Sequence, residues 1–157
     1  MESLSPLFYS ARADWLVNHY QWAWPICETL HFTGLALLVG ITGLIDLRML
    51  GMAKGLPFAR LHQLIGWAIF GFVIALGTGV IFFTAQPYQY LRHWAFPFKI
   101  LFIALAGINV LVFYLTAFRQ AERLGPGDDA PRAAKAIGAI SLFLWVGVIF
   151  FGRMLGF

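Results

Sequence analysis

Residues 29–45 read TLHFTGLALLVGITGLI, 17 consecutive residues without a charge, bracketed by Glu28 and Asp46. A helix needs ~20 mainly apolar residues to cross a hydrocarbon core of ~30 Å, with a usable range of about 17–25. Three more such runs follow: 31 uncharged residues between Arg60 and Arg92, 19 between Lys99 and Arg119, and 17 between Lys135 and Arg153. The connections are too short to be anything but loops. This pattern predicts an all-α fold, an integral membrane four-helix bundle in which residues 1–157 form a single transmembrane domain. The spans are expected at about 25–47, 60–84, 97–118 and 133–152.

Composition agrees. The chain is 61% hydrophobic and 11% charged, with a mean hydropathy of +0.78, whereas soluble domains are roughly 45–50% apolar and about 25% charged. Too little polar surface is available to face water on all sides, which excludes soluble enzymes, disordered regulators and nucleic-acid binders. The net charge of +4 reports topology instead. Arg48, Lys54 and Arg60 lie between the first two spans, and Arg119, Arg123, Arg132 and Lys135 between the last two, so seven of eleven basic residues share one side. The positive-inside rule makes that side cytoplasmic and places both termini outside, as expected of a multi-pass protein of a bacterial inner membrane. Met1 to Asp14 lacks a basic stretch followed by an apolar core, so no cleaved signal peptide is expected. A single cysteine, Cys27, excludes an internal disulfide and a CxxC site.

Before the first span, residues 6–24 mix Trp15, Tyr20, Trp22 and Trp24 with Arg12, Asp14 and His19. That mixture predicts an amphipathic helix lying in the outer interface, where aromatic rings concentrate. Small residues recur in every span, among them Gly34, Gly71, Gly138 and Gly147. They predict close helix packing, with Gly34 also a position where a flat cofactor could meet the backbone.

Ionisable residues inside a bilayer are costly and point to function. His31 follows Pro25 by six residues, which puts it ~9 Å inside the outer end of its helix at ~1.5 Å per residue. Glu28 precedes it on nearly the same face, and Lys99 enters the third span just after Pro97. These three are expected to converge near the outer leaflet. Imidazole is a common axial ligand of haem iron, and basic side chains neutralise haem propionates. A b-type haem on His31 is therefore expected, with His93 as the best second ligand, His19 as the other outer candidate, and Lys99 and Arg92 at the propionates. On the inner side, Asp46 is expected to pair with Arg48 or Arg60, and His62 lies near Met49 and Met52 as a weaker haem-ligand candidate. Thr42, Thr78, Asn109 and Ser141 read as hydrogen-bonding contacts between helices. No nucleotide-binding, zinc-protease or nucleophile-elbow motif occurs.

The segments WPICETLHFTGLALLVG (24–40), DLRMLG (46–51), LGTG (76–79) and AFPFKILFIALAGIN (95–109) resemble a group of small bacterial four-helix membrane proteins of unassigned function. More distantly the chain resembles copper-resistance-D membrane domains and HemJ-type protoporphyrinogen oxidases. The resemblance covers residues 22 to about 118. It implies functional roles for His31 and Lys99, since those relatives share a histidine in the first span and a lysine early in a later one. The HemJ-type proteins imply haem b. The copper-resistance relatives imply copper, but the soft ligands Met49 and Met52 stand at the opposite end from His31, and Cys27 stands alone.

The expected function is electron transfer between a quinone or membrane enzyme and a periplasmic carrier. A cofactor-free accessory subunit of a larger membrane complex is the alternative, and copper handling ranks third.

Overall fold

A computed structural model describes residues 5–156. Among the described residues nine helices follow in order: α1 (Ser5–Phe8), α2 (Ala11–His19), α3 (Ala23–Leu50), α4 (Phe58–His62), α5 (Ile65–Ala85), α6 (Pro87–Arg92), α7 (Ala95–Thr116), α8 (Phe118–Ala121) and α9 (Arg132–Met154). Four lengths are long and apolar enough to cross a membrane: α3, α4 with α5, α7 and α9. The chain is an all-α four-helix bundle, as its charge gaps predict. The first span begins at Ala23 rather than 25 because Pro25 takes a first-turn position, where its missing N–H costs no bond. It runs on to Leu50, where Gly51 at φ 89° ends it and returns its N–H to the Arg48 carbonyl.

Large apolar side chains point outward: Trp67, Ile69, Leu115, Phe143 and Val146 are each more than half exposed. That inversion suits a bundle bathed in lipid. The buried seams are built of small residues instead. A Cβ on Gly34 would stand 2.6 Å from the Gly71 carbonyl, and one on Gly71 would stand 2.6 Å from the Gly34 carbonyl, so α3 and α5 cross backbone to backbone. On α9, Gly147 lies under the ring of Phe102.

The helices form a row rather than a closed ring: α5 packs on α3, α3 on α9, and α9 on α7, while α5 and α7 scarcely touch. Aromatic rings close the gap at its two ends, from α5 to α7 at one and from α4 to α7 at the other. Phe83 stacks on Phe96 with centroids 5.2 Å apart, and Phe58 meets Phe113 at 6.1 Å. Between these bridges the row stays open.

Residues 6–24 do not make one interfacial helix. Ser10 breaks the segment by capping α2 through Ala13 N–H at 3.3 Å and donating its own N–H to the Thr84 carbonyl at 2.9 Å. The segment is thereby docked on the end of α5 rather than lying free.

Both basic connections lie at one end and bind each other. Gly127 N–H donates to the Lys54 carbonyl at 2.8 Å, and Phe58 N–H to the Leu124 carbonyl at 3.2 Å. Asp129 joins Lys54 at 2.9 Å and Lys135 at 2.6 Å. The expected pairing of Asp46 with Arg48 or Arg60 does not form. Residues two apart on a helix do not face each other, so Arg48 turns away from Asp46. Its buried guanidinium donates to the carbonyls of Leu56 (2.6 Å), Asp128 (3.1 Å) and Gly125 (2.8 Å). Arg60 is exposed at the surface, and Asp46 takes its side-chain hydrogen bond from Ser141.

The Lys54 and Lys135 ammonium groups hold the exposed Asp129 carboxyl at a pKa of about 2, below its ordinary 3.8. A depressed carboxyl contributes stability above its unfolded pKa and loses it as pH falls through the folded one. The tether between the two loops should therefore weaken below about pH 4 and be lost as pH falls through about 2, and salt should weaken it at any pH. Amide exchange of Gly127 should rise across that window in the wild type and be flat in Asp129→Asn. A flat wild-type profile would refute the tether.

Candidate functional site

His31 sits on α3 three residues before the Gly34 crossing, so the close approach of α5 brings Thr78 beside it. His31 Nδ1 lies 2.9 Å from Thr78 Oγ1. Thr78 gives its own hydroxyl proton to the Ile74 carbonyl at 2.8 Å, and the nearby Ala75 carbonyl can only accept. With the Thr78 hydroxyl proton on Ile74, a ring protonated at Nδ1 donates to Thr78 and leaves the lone pair on Nε2. A second partner holding one ring nitrogen so that the other is free for a ligand is the arrangement that orients metal-binding histidines.

Two recesses meet at His31. The first, about 280 Å³, is the open slot between α5 and α7, walled almost wholly by apolar residues with His31, Lys99 and Trp145 as the exceptions. The second, about 680 Å³, lies at the end opposite the basic loops and is lined by His31, Lys99, Glu28, Tyr90, Gln89 and Arg153 among apolar residues. The expected convergence of His31, Lys99 and Glu28 on one recess is present.

Lys99 has no hydrogen-bond or ion-pair partner among the described residues, and its ammonium lies beside Gly152 of α9, where a Cβ would be in ordinary contact at 3.6 Å from Nζ. The cation also stands in the opening turns of α7, the positive end of the helix dipole, where a lysine is disfavoured. Burial, and after it the Glu28 carboxylate, push the Tyr90 phenol above its ordinary pKa.

Other expected ligands are elsewhere. His93 lines neither recess. Its Nδ1 accepts the Ala95 N–H at 3.2 Å at the start of α7, which fixes the ring in the turn. Arg92 lines neither recess and lies 5.1 Å over the Tyr88 ring, also donating to its hydroxyl. Gly34 is inside the helix crossing and touches no recess. His19 stacks on Trp15 at 4.8 Å in α2. At the basic end, His62 hydrogen-bonds the Tyr114 hydroxyl at 3.0 Å, and its cavity of about 60 Å³ is far too small for a haem; Met52 points away, 77% exposed. Among the described residues no three His, Cys, Asp or Glu side chains gather as a metal site.

The sequence reading missed Trp145. This side chain is buried, its Nε1–H has no partner among the described residues, and it lines the slot beside His31. Tryptophan is so common in apolar spans that composition carries no signal for a stranded donor. No family model, curated protein or solved structure matches the chain.

Proposed function

We propose that the chain is a b-type-cytochrome-like membrane protein that holds a haem b through His31 and passes electrons between a quinone or membrane enzyme and a periplasmic carrier. One observation carries the reading: Thr78 holds Nδ1 of His31 at 2.9 Å in a recess that also holds Lys99, a lysine with no ion-pair partner among the described residues. The donor set fits haem. Nε2 would serve as axial ligand and Lys99 as propionate counter-ion, and the two recesses offer space of the size small-ligand sites use, with few polar groups. Neither lining contains a second histidine, so His31 is the one axial histidine in this reading. Haem would supply a one-electron couple. The chain's residues orient the imidazole, exclude water and balance charge. Copper is disfavoured because no methionine or cysteine lines either recess.

Protein purified from haem-replete cells should show a Soret band and a reduced-minus-oxidised spectrum. His31→Ala should lose both, His93→Ala should keep both, and Lys99→Met should bind haem more weakly. A colourless wild type refutes the proposal. Fixed stoichiometric partners with no absorbing cofactor would select the accessory-subunit reading instead.

The proposed location is the bacterial inner membrane with the basic end cytoplasmic and both termini periplasmic. In a Cys27→Ala background, a cysteine at Trp22 should react with a membrane-impermeant thiol reagent in intact cells, and one at Gly127 should not. The reverse pattern would invert the topology.

A further inference from the structure

The basic half of the bundle contains a separate cavity of about 60 Å³, lined by α3, α4, α5, α7 and α9. It has room for a few waters, at ~10–15 Å³ of such volume each. Asp46 lines it, 4% exposed, with an Oδ2 that no donor reaches. The sequence places this carboxyl here through Gly138: a Cβ at that position would stand 3.2 Å from the Asp46 carbonyl, so α9 closes on α3 and Ser141, one turn later, binds the carboxyl.

Among the described residues no cation neutralises it. Arg48 on α3 is committed to three loop carbonyls, and Lys135 on α9 to Asp129. Arg60, near α4's middle, is exposed. α5 contributes the apolar Ile65. α7 contributes Asn109, whose amide donates to the Ile137 carbonyl at 3.1 Å, and Tyr114, which is bonded to His62 of α4. An ionised carboxylate with a bare oxygen in a low dielectric is heavily disfavoured. Something positive must reach Oδ2. A hard metal ion asks for about six oxygen ligands, whereas these walls are mainly apolar and bring one carboxyl. A proton needs only Oδ2 itself.

We propose that Asp46 is a proton-binding site in the basic half of the membrane domain, loaded from the basic end through His62 and cavity water. His62 lines the cavity and is half-buried, so its ring bridges the surface and the interior. In the transfer an O–H bond forms at Oδ2 while a cavity water gives up a proton. His62 returns a proton to that water and takes one from solvent, and no electrons move. This site shares no residue with the His31 recesses, so it stands whether or not haem binds there.

Infrared spectroscopy of the protein in lipid nanodiscs tests the proposal. Near neutral pH the wild type should show a carboxylic-acid C=O band that shifts in D2O and declines as pH rises, and Asp46→Asn should lack it. Ser141→Ala, which keeps the carboxyl, should shift the band by removing its hydrogen bond. His62→Phe should keep the band but slow its deuterium exchange roughly tenfold or more. The proposal is overturned if Asp46→Asn retains the band or the wild type shows none. It is equally overturned if sodium replacing choline at fixed pH and ionic strength erases the band, because a metal ion is then the occupant. Wild-type exchange in His62→Phe would overturn the entry route.

Discussion

Gly34→Leu is expected to separate α3 from α5 and unfold that half of the bundle. The new Cβ would meet the Gly71 carbonyl at 2.6 Å and the Ala75 nitrogen at 2.9 Å. Both are backbone atoms of a continuous helix, so neither can swing aside. Overpacking a core costs about 1–3 kcal/mol where side chains can adjust, and occasionally more; with backbone on both sides, about 3 kcal/mol or more is expected. The consequence reaches the site. His31 is one turn before Gly34, and Thr78 follows Gly71 by seven residues on α5, so parting the helices breaks the His31 to Thr78 bond and frees the imidazole. Thermal unfolding in detergent should show a large drop in Tm, with loss of any bound haem. Gly77→Ala and Gly107→Ala are the controls, because nothing lies within 4 Å of either added Cβ. They should be neutral or stabilising by up to ~1 kcal/mol through helix propensity. Equal losses at Gly34 and Gly77 would refute the crossing.

Arg48→Met should cost about 3–5 kcal/mol, the range for disrupting a buried charged network. Arg48 is fully buried, and its guanidinium is the shared donor for carbonyls of both basic loops, at Leu56, Gly125 and Asp128. Removing it strands three acceptors at once in a site that methionine fills but cannot satisfy. Arg48→Lys should recover only part of the loss, since an ammonium on a flexible stem cannot reproduce the planar fork. Limited proteolysis should cut residues 124–131 much faster in Arg48→Met than in the wild type, with a lowered Tm. An unchanged cleavage rate would show that the loops are held by other contacts, Asp129 foremost.

Residues 29–45 and the three later uncharged runs were enough to place four spans, because a bilayer selects segments by composition before packing has any say. The same filter singled out His31 and Lys99, which a hydrocarbon core tolerates only for a reason. Side-chain direction was not legible. Arg92 and His93 lie close to Lys99 in sequence, yet the turn before Ala95 aims them elsewhere. Asp46 and Arg48 are neighbours in sequence but lie on opposed faces of α3. Gly34 was read two ways, and the crossing with Gly71 shows the packing role. Trp145 and the Asp46 cavity gave no signal, since an unpartnered donor or acceptor exists only once other helices have closed around it.

The sequence by itself determined the solvent, the number of spans and the side on which the basic loops gather, because these depend on sums over local composition. The tertiary structure alone decided that the helices form an open row, that Thr78 holds one ring nitrogen of His31, and that Arg48 serves carbonyls rather than Asp46. Those outcomes depend on which faces meet across distant parts of the chain. Such meetings are set by atomic fit at a few glycines, and hydropathy does not record them.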